Sequence, residues 1–226
     1  MSQSSDQNRL DWRRWRADWP IWVIIGLVLV GSALIYPALP ERVPSHWNLR
    51  GEVDGTLAKP WGAFLLPAVT AAVYLLLSVV PLIDPKAVRD PQFIRSYRLI
   101  KGAVVLFLAG LHGMILAAAV EQPVPIERTM PLGIGLLILV LGGILRRVRP
   151  NYFVGVRTPW TLADDAVWQK THAFSAKLAS LGGLIIMAGA FLPAAAAMGL
   201  IFIVVVGIAI ASTLYSYLAW RRRVRT

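Results

Sequence analysis

Six stretches of the chain are apolar for close to twenty residues at a time, and the polar residues collect in the segments between them. The stretches cover 19–39, 61–83, 102–120, 130–145, 173–192 and 194–219. A bilayer core about 30 Å thick takes about 20 residues at 1.5 Å rise each, so the pattern predicts six transmembrane helices. The fourth run is short unless it extends into 146–148, and the fifth contains Lys177, which must snorkel toward an interface. The predicted fold class is all-α: a polytopic membrane protein of six helices.

The basic residues set the orientation. Of 23 Lys and Arg, 18 fall in the first, third, fifth and seventh segments between the runs, four in the others, and Lys177 near the inner end of the fifth run. Positive charge in short loops marks the cytoplasmic side, so both termini are placed inside. The implied divisions are an interfacial N-terminal segment (1–18), a four-helix part (19–145) with an outer loop at 40–60, a cytoplasmic loop (146–172), a helical hairpin (173–220) and a basic tail (221–226). The first run is long enough to span, and Tyr36-Pro37-Ala38 is not a small-x-small cleavage site, so it reads as an uncleaved helix. Ahead of it, Trp12, Trp15, Trp19 and Trp22 recur at helical spacing among Arg9, Arg13, Arg14 and Arg16, as in a lead-in helix lying in the headgroup layer. Trp220 and Arg221 to Arg223 read as the matching stop.

Composition narrows the class further. With 57% hydrophobic and only 15% charged residues, the chain has too little polar surface for a soluble protein and too much hydrophobicity for a disordered polycation. The net charge of +11 is therefore mostly topology, and no direct nucleic-acid binding is expected. Zero cysteines remove disulfides, thiolate metal sites and cysteine nucleophiles. No cofactor is expected, and the partners expected first are membrane lipids.

Two loops are too long and too patterned to be plain connectors. In the outer one, Pro40 and Pro44 bias their neighbours toward extended backbone, while Asn48, Gly51 and Asp54-Gly55 tolerate positive φ. Two tight turns would hold His46 and Trp47 near the membrane surface. The loop reads either as a polar and aromatic recognition platform or as an anchor whose His46 and Asp54 satisfy backbone groups. Glu41, His46, Glu52 and Asp54 are potential metal ligands, but one histidine among irregularly spaced carboxylates is a weak pattern, and no metal is expected. The residual metal set is Glu41, His46 and Asp54. His112 falls near mid-membrane and is expected to pack between helices beside Gly110 and Gly113.

The inner loop carries Asn151, Gly155, Arg157, Thr158, Pro159, Trp160 and Thr161 ahead of Asp165, Trp168 and His172. Thr161 followed by Asp164 reads as a helix-start box. Asp165, Trp168 and His172 then share one helix face at i, i+3 and i+7, with Arg157 and Trp160 upstream to fold over it. The result is either a docking surface for a cytoplasmic partner or a structural lock between helices.

At these loops the sequence resembles the SdpI family of bacterial multi-pass membrane proteins. The outer match is Leu39-Pro40-Glu41, Pro44-Ser45-His46-Trp47-Asn48, Gly51 and Asp54-Gly55. The inner match is Asn151, Gly155-Val156-Arg157-Thr158-Pro159-Trp160-Thr161-Leu162, Val167-Trp168 and Thr171-His172. The resemblance implies an immunity protein of the bacterial cytoplasmic membrane, giving resistance to a secreted peptide toxin met outside. It also implies signal transduction to a cytoplasmic repressor inside. A non-enzymatic receptor is therefore the expected class. The alternatives are a metal-dependent hydrolase at the outer face using Glu41, His46 and Asp54, and, less favoured, a transporter using His112.

Overall fold

The computed structural model describes residues 16–84 and 91–225. Helix α1 (Trp19–Ile35) passes through a 3-10 turn (Tyr36–Ala38) into strands β1 (Arg42–Trp47) and β2 (Val53–Ala58). Helices α2 (Lys59–Ile83), α3 (Pro91–Ala119) and α4 (Ile126–Leu145) follow. A five-residue helix, α5 (Pro159–Ala163), leads into α6 (Asp165–Ala188), and after a 3-10 turn (Gly189–Phe191) the last helix, α7, covers Ala194–Val224.

Six of these helices are long and apolar enough to cross a membrane. Their flanks carry the side chains that suit lipid contact: Leu27, Leu34, Phe202 and Ile203 are each at least 65% exposed. The lead-in segment with Trp12 and Trp15 lies outside the described residues, whereas Trp19 and Trp22 begin α1 and are exposed.

Three boundaries differ from the hydropathy reading. Helix α3 starts eleven residues before Gly102, so Arg95, Arg98 and Lys101 are helical rather than loop residues. Helix α4 gains its length at the outer end, through Ile126 to Thr129, and not through Arg146. Helix α7 continues past Ala219 through Arg221 to Arg223. In each case a polar turn continues the helix beyond the apolar run, because hydropathy marks where the lipid is and not where the hydrogen-bond ladder stops.

The outer loop is an antiparallel hairpin, β1 on β2, rather than a pair of turns. It is fastened by Val43, which is fully buried with Leu39, Ala63, Leu116 and Ala119. Gly62 makes room for it, since a Cβ there would collide with the Val43 side chain. Lys59 N–H donates to the Glu41 carbonyl at 2.9 Å and closes the open end.

Two styles of packing hold the helices. α4, α6 and α7 meet through small residues: a Cβ on Gly135 would lie 2.6 Å from the Gly183 carbonyl oxygen, one on Gly142 2.9 Å from Ser180 N, and one on Gly182 2.7 Å from Ile208 Cδ1. Such close backbone approach is how helices gain packing energy where lipid removes the hydrophobic drive. α1, α2 and α3 are instead joined by polar groups. Asp18 accepts from Lys101, from Arg98 Nε at 3.2 Å and from the Tyr74 hydroxyl at 3.2 Å, and Lys101 reaches Ser78 Oγ at 3.2 Å.

Candidate functional site

On the outer face, the strand register is irregular on both sides of His46, whose side chain is exposed. Gly55 lies opposite, where a Cβ would come within 2.9 Å of His46 Cβ. His46 Nδ1 and Asp54 Oδ1 are 2.5 Å apart. The carboxylate accepts the hydrogen bond from Nδ1–H, which leaves Nε2 with no hydrogen-bond partner among the described residues. Both side chains are open to solvent, His46 at 72% and Asp54 at 44%. Asp54 and Gly55 belong to β2 and not to a turn; of the glycines and polar residues expected to take positive φ in this loop, only Gly51 does, at +79°.

Asn48 templates the tip. Its Oδ1 accepts from Arg50 N at 2.8 Å and Glu52 N at 3.1 Å, and its Nδ2 donates to Glu52 Oε2 at 2.9 Å. Glu41 immediately precedes β1, five residues of extended chain or about 16 Å from His46. No group of three His, Asp or Glu side chains among the described residues is close enough to share a metal ion.

Beneath the hairpin tip is a cavity of about 310 Å³. Its roof is polar and aromatic, from His46, Trp47 and Asn48, and its floor is apolar, from Met114 of α3, Met130 of α4 and Met198 of α7. Glu127, at the start of α4, supplies a carboxylate at the rim. A second cavity of about 300 Å³ runs between α3 and α4, almost wholly apolar, and shares Leu111, Met114 and Met130 with the first. A polar mouth above a methionine-lined floor suits an amphipathic ligand, because thioethers repack around irregular apolar groups.

The inner loop is arranged differently. Asn151, almost fully buried, uses every polar atom: Nδ2 donates to Arg149 O at 2.8 Å and Val154 O at 3.0 Å, and Oδ1 accepts from Phe153 N at 2.9 Å and Val154 N at 2.6 Å. Gly155 follows at φ +110°, bringing Val156 N–H to His172 Nε2 at 3.1 Å. His172 Nδ1–H donates in turn to Trp168 O at 2.9 Å, so the ring is the neutral Nδ1–H tautomer with both nitrogens engaged. Trp168 stacks on that ring at 4.0 Å and donates Nε1–H to Val148 O at 3.0 Å. Both aromatic residues are 1% exposed.

Thr158, not Thr161, caps α5: Thr158 N–H donates to Thr161 Oγ1 at 2.9 Å, and Thr161 N–H returns to Thr158 Oγ1 at 3.3 Å. Thr158 Oγ1 also meets Ser216 Oγ of α7 at 3.0 Å. Pro159 occupies the first turn of α5, where its missing N–H costs nothing. Asp164 caps α6 through Ala166 N and Val167 N, and Arg223 Nε lies 2.5 Å from its other oxygen. Partial burial works against the Asp164 carboxylate, but those two N–H groups and the guanidinium prevail and hold it below the usual carboxylate range. The face shared by Asp165, Trp168 and His172 is thus split: the aromatic pair is internal and Asp165 is exposed. Trp160 is half-buried against Tyr217, with ring centroids 5.1 Å apart. Arg157 is exposed and donates to Tyr152 O at 2.9 Å, and Tyr152 N–H reaches back to Asp84 at 2.9 Å. The open part of the motif is Tyr152, Phe153, Arg157, Pro159 and Asp165.

His112 is buried between α1 and α3, with Nε2 2.7 Å from Ser32 Oγ. Ser32 also lies 2.9 Å from Val28 O, so its hydroxyl proton serves the carbonyl and His112 Nε2–H donates to the hydroxyl oxygen. The Asp18, Arg98 and Lys101 cluster and the rim residue Glu127 were not legible as site candidates. The one signal was an acidic residue, Asp18, placed directly before a span in a basic segment.

The comparisons with known proteins fall on the same two regions. The model of the SdpI/YfhL protein family matches residues 147–216, which hold the inner motif, α6 and most of α7. A domain of unknown function (DUF1648) matches residues 23–71, which hold most of α1, the hairpin and the first half of α2. The chain is 26% identical over 195 residues to the immunity protein SdpI of Bacillus subtilis (strain 168), a span covering 86% of this chain and 91% of that one. No solved structure matches the chain.

Proposed function

We propose that this chain, which is similar to the SdpI/YfhL family over residues 147–216 and to the immunity protein SdpI over most of its length, is an immunity receptor of the bacterial cytoplasmic membrane for a secreted, amphipathic peptide toxin. The toxin is met outside at the hairpin, its polar part by His46 Nε2, Asn48 and Asp54 and its apolar part in the methionine-floored cavity. The observation that carries this reading is the pairing of an exposed imidazole, held by Asp54, with a cavity of about 310 Å³ that it helps to line. Because the cavity floor is built from α3, α4 and α7, an occupant changes the relative energy of helix arrangements by whatever it gains in one over the other. The inner motif ties the ends of α4, α6 and α7 together, which makes it the place where such a shift is read inside. A cytoplasmic repressor would meet its open residues Tyr152, Phe153, Arg157 and Asp165.

The test is survival of a toxin-sensitive bacterial host exposed to secreted antimicrobial peptides, with variants matched for membrane level. The parent protects, and His46→Ala and Asp54→Ala lose about tenfold or more of the protection, the scale of one charge-assisted hydrogen bond. Full protection by both variants removes the hairpin from recognition. The hydrolase alternative would show instead as peptide cleavage by the purified protein that is lost in His46→Ala.

A further inference from the structure

An open cleft of about 700 Å³ lies at the cytoplasmic ends of α4 and α6, bounded by Gly142, Gly143, Arg146 and Arg147 on one side and Lys177 and Ser180 on the other. No acidic side chain lines it, and none of the three cations forms an ion pair with a described residue. Arg146 and Arg147 follow the last residue of a span, at headgroup level. Lys177 lies four residues, about 6 Å, inside the apolar run that begins at 173, so its ammonium reaches the interface, where it takes water or an anion. The surfaces below the cations are apolar. Leu136, Val140 and Gly143 stand on one face of α4 at helical spacing, with Arg146 and Arg147 just past its end, and Lys177, Leu181 and Leu184 on one face of α6; the four leucine and valine residues are exposed. Each face thus carries charge at its cytoplasmic end and bare hydrocarbon surface toward mid-membrane.

We propose that this cleft is a binding site for an anionic phospholipid of the inner leaflet. The two guanidiniums hold the phosphodiester oxygens with their forked donors, and Lys177 approaches from the membrane side as a point charge. Gly143 leaves the space the headgroup takes, since a Cβ there meets nothing within 4 Å. The acyl chains lie along Leu136 and Val140 and along Leu181 and Leu184. The headgroup site does not rest on the toxin reading and lies at the opposite leaflet, while Leu136 and Val140 also line the second cavity between α3 and α4.

Native mass spectrometry of the detergent-solubilised protein, given equal phosphatidylglycerol and phosphatidylcholine, tests it. The parent retains phosphatidylglycerol preferentially, and the Arg146→Gln, Arg147→Gln, Lys177→Gln variant loses about fivefold in affinity per charge removed. Gly143→Leu, which fills the recess and keeps every charge, also loses the adduct. Arg221→Gln with Arg225→Gln, two cytoplasmic charges outside the cleft, keeps it. The proposal is overturned if the triple variant retains the lipid as the parent does, or if the control pair loses as much as the cleft variants. It is equally overturned if soluble glycerol phosphate displaces the lipid at matched concentration, which would make the site one for free phosphate.

Discussion

The outer hairpin and the inner motif are built on the same plan and put to opposite uses. Each has an asparagine whose side chain organises the loop, Asn48 or Asn151, and a glycine in the left-handed region a few residues later, Gly51 or Gly155. Each contains a histidine held by one partner of fixed chemistry, Asp54 for His46 and the Trp168 carbonyl for His172. The difference is what the second ring nitrogen does. His172 Nε2 is consumed by Val156 N–H inside a stack of buried residues, while His46 Nε2 has no partner among the described residues and belongs to an exposed ring at the edge of a cavity. A shared motif plan therefore does not signify a shared role. Exposure of the last free donor or acceptor decides which loop is available to a ligand.

The sharpest way to break this comparison is at the glycines. Gly155→Ala places a Cβ in a left-handed backbone and against His172 Nε2, so strain and collision add, and a loss of about 3 kcal/mol or more is expected. Gly51→Ala pays mainly the backbone term, about 1 kcal/mol, because the nearest atom to its Cβ is Glu127 Oε2 at an ordinary 3.7 Å. Thermal unfolding in detergent measures both. Equal losses would mean that the inner loop is no more tightly packed than the hairpin.

The asparagines give the next largest contrast. Asn151→Ala strands two N–H groups and two carbonyls in a largely buried loop, an expected cost of about 3 kcal/mol. Asn48→Ala frees groups that water can reach, and about 1 kcal/mol or less is expected. Proteolysis of the two loops in intact and in inside-out vesicles separates these outcomes. Rapid cleavage of the hairpin in Asn48→Ala, with the inner loop of Asn151→Ala untouched, would reverse the ranking.

How much of this was legible beforehand depends on the physical scale of each signal. The spans are set by a bilayer about 30 Å thick, so runs of apolar residues locate them directly. The hairpin left no alternation to find: Val43 alone is buried along β1, and Pro44 sits within the strand. Strand pairing between Val43 and Leu57 depends on the membrane helices beneath, where Gly62 receives Val43. The capping residues were nearly right in kind and wrong in place, because Thr158, Thr161 and Asp164 are all good caps and only the observed break between α5 and α6 shows that two short starts are used. Arg98 and Lys101 read as loop charge because their helix extends past the lipid-facing run; their pairing with Asp18 is a tertiary fact, 83 residues apart for Lys101. The roles of His46 and His172 could not be separated from sequence at all, since burial is what distinguishes them.

The smallest effect lies where the inner motif reaches solvent, at Asp164. Its carboxylate is bonded to Ala166 N, Val167 N and Arg223, and it is held below its ordinary value of 3.8, so the folded state binds its proton less readily than the unfolded chain does. Such a group contributes stability that is complete above the unfolded value and is lost as pH falls through the depressed folded value. Asp164→Asn keeps an oxygen acceptor for the helix start but loses the charge that Arg223 answers. The parent should therefore be the more stable of the two at neutral pH, by a constant margin down to about pH 5, with the margin closing below pH 4. Unfolding temperatures of both proteins across that range measure it. A margin that stays constant to pH 3 would mean that the ionised form of Asp164 contributes nothing to the lock, and that the buried aromatic and asparagine contacts hold the ends of α4, α6 and α7 without it.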